Sequence, residues 1–201
     1  PYGAIQIQDI LEERTHVGLR ENSLDGGVIE LCSALAAQEH GDARRALDLL
    51  RISVQKAEQQ GHVLVSPSHV RLAQSQLEYD QVTPVLRTLP LHQKLVLFSI
   101  KLNEENGLRN ISTGEVYRTY SDACLKIGIE PLTPRRISSL LNELDTLGMI
   151  MARNVSKGRF GRSKQVNSAI PSGIDVIQTL GKSEPLIAQA AEEKYALQSR
   201  L

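Results

Sequence analysis

The chain has 201 residues, of which 41% are hydrophobic and 3% aromatic, and its formal net charge is zero. This length allows one large domain or two small ones, and the aliphatic composition suits helices better than an aromatic-rich β-sandwich. The neutral charge argues against a surface that is basic throughout. No apolar run approaches the ~20 residues of a membrane helix and no signal peptide opens the sequence, so we expect a cytoplasmic protein.

Residues 1–79 show the apolar spacing of consecutive helices. The pattern predicts helices at residues 7–17, 28–39, 43–60 and 67–79. Asp42 is well placed to cap the third helix, and Ser66 followed by Pro67 is a typical helix start. Residues 62–65 have the character of a short strand.

From residue 81 onward the predicted order is three helices followed by a β-hairpin. Pro84 and Pro90 bracket a short helical turn, and Ser112 and Glu115 have the spacing of a capping box. The predicted helices cover residues 91–103, 113–126 and 134–147, and the predicted strands cover residues 149–153 and 165–167. This order is typical of a winged helix. The remaining residues predict a linker and then a terminal helix at about 186–197, so the expected fold is mainly α with a small β-hairpin wing.

The sequence offers no arrangement of residues that predicts catalysis or metal binding. Cys32 and Cys124 each lie within an apolar helical pattern, which indicates reduced core thiols, and the five His residues are scattered. No Ser/His/Asp or Cys/His arrangement and no paired carboxylates are found. We therefore expect no catalytic residues and no metal ligands, and an independent enzyme is the least favoured class.

The helix predicted from residue 134 carries the first candidate binding residues. In a helix-turn-helix, the second helix of the pair lies in the major groove with its N-terminal residues facing base edges. Here Thr133 caps that helix, and Arg135 and Arg136 occupy its first turn. Cations are slightly disfavoured there by the helix dipole, which indicates that these two arginines have a functional reason to be present.

The loop of the predicted hairpin carries a second basic set without an acidic residue. It contains Lys157, Arg159, Phe160, Arg162 and Lys164. An aromatic side chain flanked by arginines suits a wing that enters a minor groove or rests on sugar. A charged hairpin tip is also a common solvated loop, but together with Arg135 and Arg136 the set favours DNA binding that weakens steeply with salt.

The string GDARRALDLLR at residues 41–51 resembles the sensor-two helix of archaeal replication initiators of the origin-recognition-complex/Cdc family, which are AAA+ ATPases. The string LPLHQK at residues 89–94 also fits, and the resemblance covers nearly the whole chain, fading after about Pro171. It implies a helical AAA+ lid at residues 1–82, a winged-helix DNA-binding domain at 83–170, and a linker with a C-terminal helix at 171–201.

In that family the lid packs over a nucleotide held by a separate α/β domain, and an arginine of this motif reaches the phosphates. The matching residue is Arg44, with Arg45 as the lesser candidate. From the residues alone, Arg44 could instead pair with Asp48 one turn later. The resemblance implies ATP or ADP with Mg²⁺ as cofactor of the full-length protein, with none expected to bind tightly to this chain alone.

The family's nucleotide-binding motifs are missing from the printed sequence. It holds no Gly-x-x-x-x-Gly-Lys-Ser/Thr loop and no acidic Walker-B strand end, and it begins at Pro1 without Met, so we expect a fragment that does not hydrolyse ATP by itself. The resemblance implies double-stranded origin DNA, neighbouring initiator subunits and a replicative helicase as partners. The alternatives are a winged-helix transcription regulator with a helical dimerisation or effector domain, and a winged helix that docks proteins instead of DNA.

Overall fold

The computed structural model describes residues 1–156 and 162–198 and divides into two compact units. The first unit comprises Pro1–Asp80, and the second begins at Gln81. The boundary lies within one helix, because α4 (Pro67–Thr88) supplies Val70 and Ala73 to the first core and Leu86 to the second. The sequence pattern predicts that this helix ends near residue 79. Pro84 removes only one backbone hydrogen bond, however, and burial of Leu86 favours continuing the helix.

The first unit is built from helices at the predicted positions. They are α1 (Ala4–Gly18), α2 (Val28–Glu39), α3 (Ala43–Gln59) and the first part of α4. The predicted strand at residues 62–65 is reduced to a single parallel bridge between Leu24 and Val65. Cys32 is free and fully buried in this core, and burial raises the pKa of its thiol to about 12. It is therefore a packing residue with little thiolate at neutral pH.

The second unit is a helix-turn-helix followed by a hairpin, as expected for a winged helix. In chain order it contains the last part of α4, α5 (Leu91–Glu105), β1 (Ile111–Ser112), α6 (Thr113–Lys126), α7 (Pro134–Thr146), β2 (Ile150–Ser156), β3 (Arg162–Ser168), α8 (Val176–Ser183) and α9 (Pro185–Gln198). Cys124 of α6 is free and buried, and burial raises the pKa of its thiol as well. The prediction of a mainly α fold with a small hairpin wing is confirmed.

The sheet is antiparallel and has the order β1-β3-β2. Val166 lies on the inner face of the sheet, where it pairs with Ile111 on one side and Ala152 on the other. Val166 and Ile111 are fully buried, so the hairpin is anchored to the core at its base. The two-residue strand β1 carries too short a pattern to be predicted from the sequence.

Several described residues after 170 belong to the second core, among them Ile177, Leu180, Ile187 and Ala190. The predicted linker instead contains α8, and its Leu180 packs with Ile187 of α9 in the hydrophobic cluster of this unit. Gly181 permits this packing, since a Cβ at that position would lie 3.4 Å from the Cα of Ala188. A glycine that looks like a helix breaker in the sequence therefore serves helix–helix contact. In the described ranges, no helix is long and apolar enough to cross a membrane.

Candidate functional site

The start of α7 is fixed by its own sequence. The Thr133 hydroxyl accepts a hydrogen bond from the Arg136 N–H at 3.4 Å, and Pro134 occupies the first helical position. The inward face of α7 is apolar and fully packed: Ile137, Leu140, Leu141 and Leu144. This burial leaves Arg135, Ser138 and Asn142 on the solvent side of the helix.

The loop before α7 is held by a buried tyrosine that the sequence pattern does not single out. The hydroxyl of Tyr120 accepts a hydrogen bond from the backbone N–H of Leu132 at 3.1 Å and lies 2.8 Å from Nδ1 of His92, to which its hydrogen can be donated. Tyr120 is completely buried, and this burial raises the pKa of its phenol well above the usual range. Through this hydrogen bond, the buried hydroxyl holds the backbone of Leu132, the residue that precedes the Thr133 cap.

The two arginines of the first turn differ in their surroundings. Arg135 is exposed, and within residues 1–156 and 162–198 its guanidinium has no ion pair. Arg136 extends along the helix to Glu143, with 3.2 Å between Nη1 and Oε1. The other oxygen of Glu143 accepts a hydrogen bond of 2.6 Å from Nε2 of Gln93. Arg135 is thus immediately available to a ligand, whereas Arg136 is engaged.

The hairpin brings one predicted residue to α7. Lys164 of β3 hydrogen-bonds through its ammonium group to Oδ1 of Asn142, so the wing and the exposed face of α7 form one continuous surface. Arg162 begins β3, but its side chain is not among those described. The remaining predicted loop residues, Lys157, Arg159 and Phe160, lie outside the described residues.

Two further polar residues, one on α7 and one on the outer face of the sheet, were not predicted as site residues. Asn142 lies seven positions after Arg135, a spacing that places both on one helical face and could have identified it. Arg153 of β2 is exposed and pairs in register with Gln165. Arg153 and Gln165 line a cavity of about 150 Å³ on the outer face of the sheet, together with Asn110, Met151 and Asn167.

The second candidate site is the first turn of α3 in the first unit. The carboxylate of Asp42 accepts a hydrogen bond from the Arg44 N–H at 2.9 Å, which caps the helix as the sequence predicts. The Arg44 side chain is exposed and has no ion pair within the described part of the chain. The alternative pairing with Asp48 is not formed, since that carboxylate lies 3.4 Å from Nη2 of Arg51.

Arg45 occupies a different environment from Arg44. Its Nη2 donates to Oε1 of Glu39 at 3.0 Å, and its Nε lies 2.8 Å from Oε2 of the same carboxylate, although the Nε–H does not point at that oxygen. The Arg45 side chain is largely buried, with 10% of its surface exposed. The ion pair ties α3 to the end of α2, so Arg45 is engaged while the Arg44 side chain is exposed.

The loop before α3 is shaped by Gly41, which adopts φ +66° and is buried. Its carbonyl accepts a hydrogen bond of 2.9 Å from the Tyr2 N–H, and a Cβ at this position would lie 2.6 Å from the Tyr2 carbonyl oxygen. Only glycine fits both the conformation and the close approach. The first residues of the chain are thereby held beside the turn that carries Arg44.

No metal site is found in the part of the chain that the structure describes, as no three His, Cys, Asp or Glu side chains cluster there. The pair of His62 and His69 does not make one either. Nδ1 of His69 accepts a hydrogen bond from the Ser66 N–H at 2.9 Å, which places its hydrogen on Nε2, 2.9 Å from Nδ1 of His62. A nitrogen that carries a hydrogen has no lone pair for a metal ion.

Comparison with known proteins identifies relatives among replication proteins of archaea. The chain is 52% identical over 166 residues to the ORC1-type DNA replication protein of Thermococcus onnurineus, covering 83% of this chain and 40% of the relative. It is 43% identical over 199 residues to ORC1-type DNA replication protein 1 of Archaeoglobus fulgidus, covering 99% of this chain and 46% of the relative. The chain thus spans less than half the length of these relatives.

A solved structure and two family models agree with these relatives. The Aeropyrum pernix ORC1 protein, solved in complex with DNA, superposes with a TM-score of 0.83 and 44% identity, covering 94% of this chain and 49% of that one. Residues 8–75 match the Cdc6 AAA+ ATPase-type lid domain, and residues 84–175 match the CDC6 C-terminal winged helix domain. The chain therefore belongs to the ORC1/Cdc6 family of replication initiators, of which it carries the lid and winged-helix domains.

Proposed function

We propose that this chain binds duplex origin DNA through α7 and the β2–β3 wing. The observation that carries the proposal is Arg135, which is exposed and without an ion pair among the described residues, in the first turn of a capped helix. Lys164 adds a second cation on the same surface through its contact with Asn142. The related Aeropyrum pernix protein was solved in complex with DNA, which supports the same role here.

The geometry suits a helix that enters the major groove. The first turn of such a helix offers backbone N–H groups and positive dipole charge to phosphates, while side chains on its exposed face can reach base edges. Arg135 and Asn142 occupy that face, and their side chains are of the types that bind guanine and adenine edges. The net charge of the chain is zero, so the attraction to DNA depends on the cations of this surface, Arg135 and Lys164.

Arg135→Ala is expected to weaken binding to duplex DNA about fivefold at low salt and to reduce the slope of log affinity against log salt by about one. The reason is the loss of one guanidinium contact from α7. Fluorescence anisotropy with a labelled duplex, titrated at several salt concentrations, measures both quantities. Arg71→Ala is the matched control, since it removes one exposed arginine from the first unit. Equal affinities for the two variants and the wild type would contradict the proposal.

For the first unit we propose that Arg44 binds the phosphates of ATP or ADP held by the remainder of the full-length protein. The residues fit this role, because Arg44 is exposed at a helix start and Arg45 is occupied by Glu39. The nucleotide supplies a polyanion whose charge differs between its triphosphate and diphosphate forms. The Arg44 guanidinium would then sense that difference by binding and orienting the phosphates.

In the full-length protein, Arg44→Ala is expected to weaken ATP and ADP binding about tenfold, because a charge-assisted contact to phosphate is lost. Isothermal titration calorimetry measures the change. Arg51→Ala is the matched control on the same helix, since its exposed guanidinium pairs with Asp48 two turns beyond the helix start. A loss of the same size in both variants would remove the special role of Arg44.

The proposal places the chain within a larger initiator. Residues 1–82 would act as the lid and residues 83–170 as the DNA-binding domain, with the helices after residue 170 completing its core. Loading of a replicative helicase together with neighbouring initiator subunits is the wider activity we propose for the full-length protein. Family membership supports this assignment over a transcription regulator, because both units match domains of one initiator family.

A further inference from the structure

An ion pair joins Arg136 to Glu143 on α7, the helix through which we propose that the chain binds DNA. The two residues lie on α7 two turns apart, with 3.2 Å between Nη1 and Oε1, and their side chains are 53% and 41% exposed. The Arg136 side chain therefore extends toward the C-terminal end of α7 and away from the first turn that carries Arg135. A cation that would favour DNA binding is held by an acid of the same helix.

Glu143 is a fixed acceptor and does not follow Arg136. Its second oxygen accepts a 2.6 Å hydrogen bond from Nε2 of Gln93, and Gln93 is 8% exposed in α5, whose neighbouring side chains form the core of this unit. An exposed ion pair between two mobile side chains is weak and easily rearranged. Here one partner is anchored, so Arg136 must leave the carboxylate in order to reach a phosphate.

We propose that Glu143 competes with DNA phosphate for Arg136 and so limits the affinity of this surface for DNA of any sequence. The inference rests on the proposed binding of duplex DNA by α7. Carboxylate and phosphodiester oxygens bind the same guanidinium fork, so only one of them occupies it fully at a time. An acid retained beside a nucleic-acid surface lowers binding that depends on charge alone, and it thereby favours sites where other contacts compensate.

Glu143→Gln keeps the size of the side chain and an oxygen for Gln93, but it removes the negative charge that holds Arg136. The expected result is two- to fivefold tighter binding to a duplex of arbitrary sequence at low salt, with a steeper dependence on salt. Glu130→Gln is the matched control, because this exposed acid precedes α7 and has no ion pair within the described residues. It makes the same change in net charge without touching Arg136.

The decisive measurement repeats both substitutions in an Arg136→Ala background. Glu143→Gln is then expected to do no more than Glu130→Gln, since the cation it would release is gone. The inference is overturned if the two substitutions act equally in the wild type, or if Glu143→Gln tightens binding as much without Arg136. Thermal unfolding of each variant by circular dichroism shows whether the fold is kept.

Failure of this inference and failure of the proposed function give different results. If the wild type binds duplex DNA and Arg135→Ala weakens it, but Glu143→Gln leaves affinity at the level of its control, only the competition is wrong. If neither the wild type nor any variant binds duplex DNA, or if Arg135→Ala changes nothing, DNA binding by α7 is wrong and the inference falls with it.

Discussion

Gly41→Ala is expected to lower the free energy of unfolding of the first unit by about 2–4 kcal/mol. Two effects add at this position. The residue adopts φ +66°, which an alanine tolerates poorly, and its new Cβ would lie 2.6 Å from the carbonyl oxygen of Tyr2 and 2.9 Å from the Tyr2 nitrogen. Hydrogen exchange of the α3 amides, followed by mass spectrometry, reports the loss within this unit.

Gly61→Ala separates the two effects, because Gly61 has φ +73° but nothing lies within 4 Å of its added Cβ. This control is expected to cost about 1 kcal/mol, from backbone conformation alone. A variant shortened to begin at Gly3 lacks Tyr2 and therefore this close contact. In that variant, the loss of unfolding free energy caused by Gly41→Ala should approach the loss caused by Gly61→Ala. The packing explanation fails if both alanine variants are equally destabilised in the whole chain.

Tyr120→Phe is expected to destabilise the second unit by about 1–3 kcal/mol, because it leaves the Leu132 N–H without its acceptor. The same change removes the anchor of the residue before the Thr133 cap, so duplex affinity should fall as well. Hydrogen exchange of α6 and α7 measures the first effect, and fluorescence anisotropy measures the second. The loss of affinity would show that the buried hydroxyl positions α7 as well as stabilising the fold.

Tyr117→Phe is the control for this experiment. Tyr117 lies on the same helix with its ring centroid 6.3 Å from that of Tyr120, and it is partly buried. No hydrogen bond to its hydroxyl is found within residues 1–156 and 162–198, so this variant should remain close to the wild type in both measurements. Equal behaviour of the two phenylalanine variants would contradict the anchoring role of Tyr120.

Local signals predicted most helix starts correctly. Ser112 with Glu115, Thr133 with Pro134, and Asp42 all cap the helices that their sequences indicate. Such caps depend on residues two or three positions apart, so a single sequence contains the necessary information. The same reasoning placed Arg135 and Arg44 in first turns, where the structure has them.

Contacts over long sequence distances could not be predicted in the same way. The hydrogen bond from Gln93 to Glu143 joins residues 50 positions apart, and Asn110 contacts Asn167 across 57 positions. Nothing in the local pattern of either partner indicates the other.

The core also holds polar residues, which a search for hydrophobic residues overlooks. Ser53 is fully buried, and its hydroxyl donates a hydrogen bond to the Leu49 carbonyl at 2.6 Å.

The three-stranded sheet supports the hairpin on two sides at its base and on one side beyond it. Its central strand β3 is held on both sides only near Gln165 and Val166, where β1 pairs with it, while toward residue 162 it pairs with β2 alone. A displacement of the hairpin would therefore bend β3 near Gln165 and Val166, where β1 pairs with it. Ser112 pairs with Gln165 and also caps α6. Bending of β3 at this position would therefore move the start of α6, a helix of the helix-turn-helix.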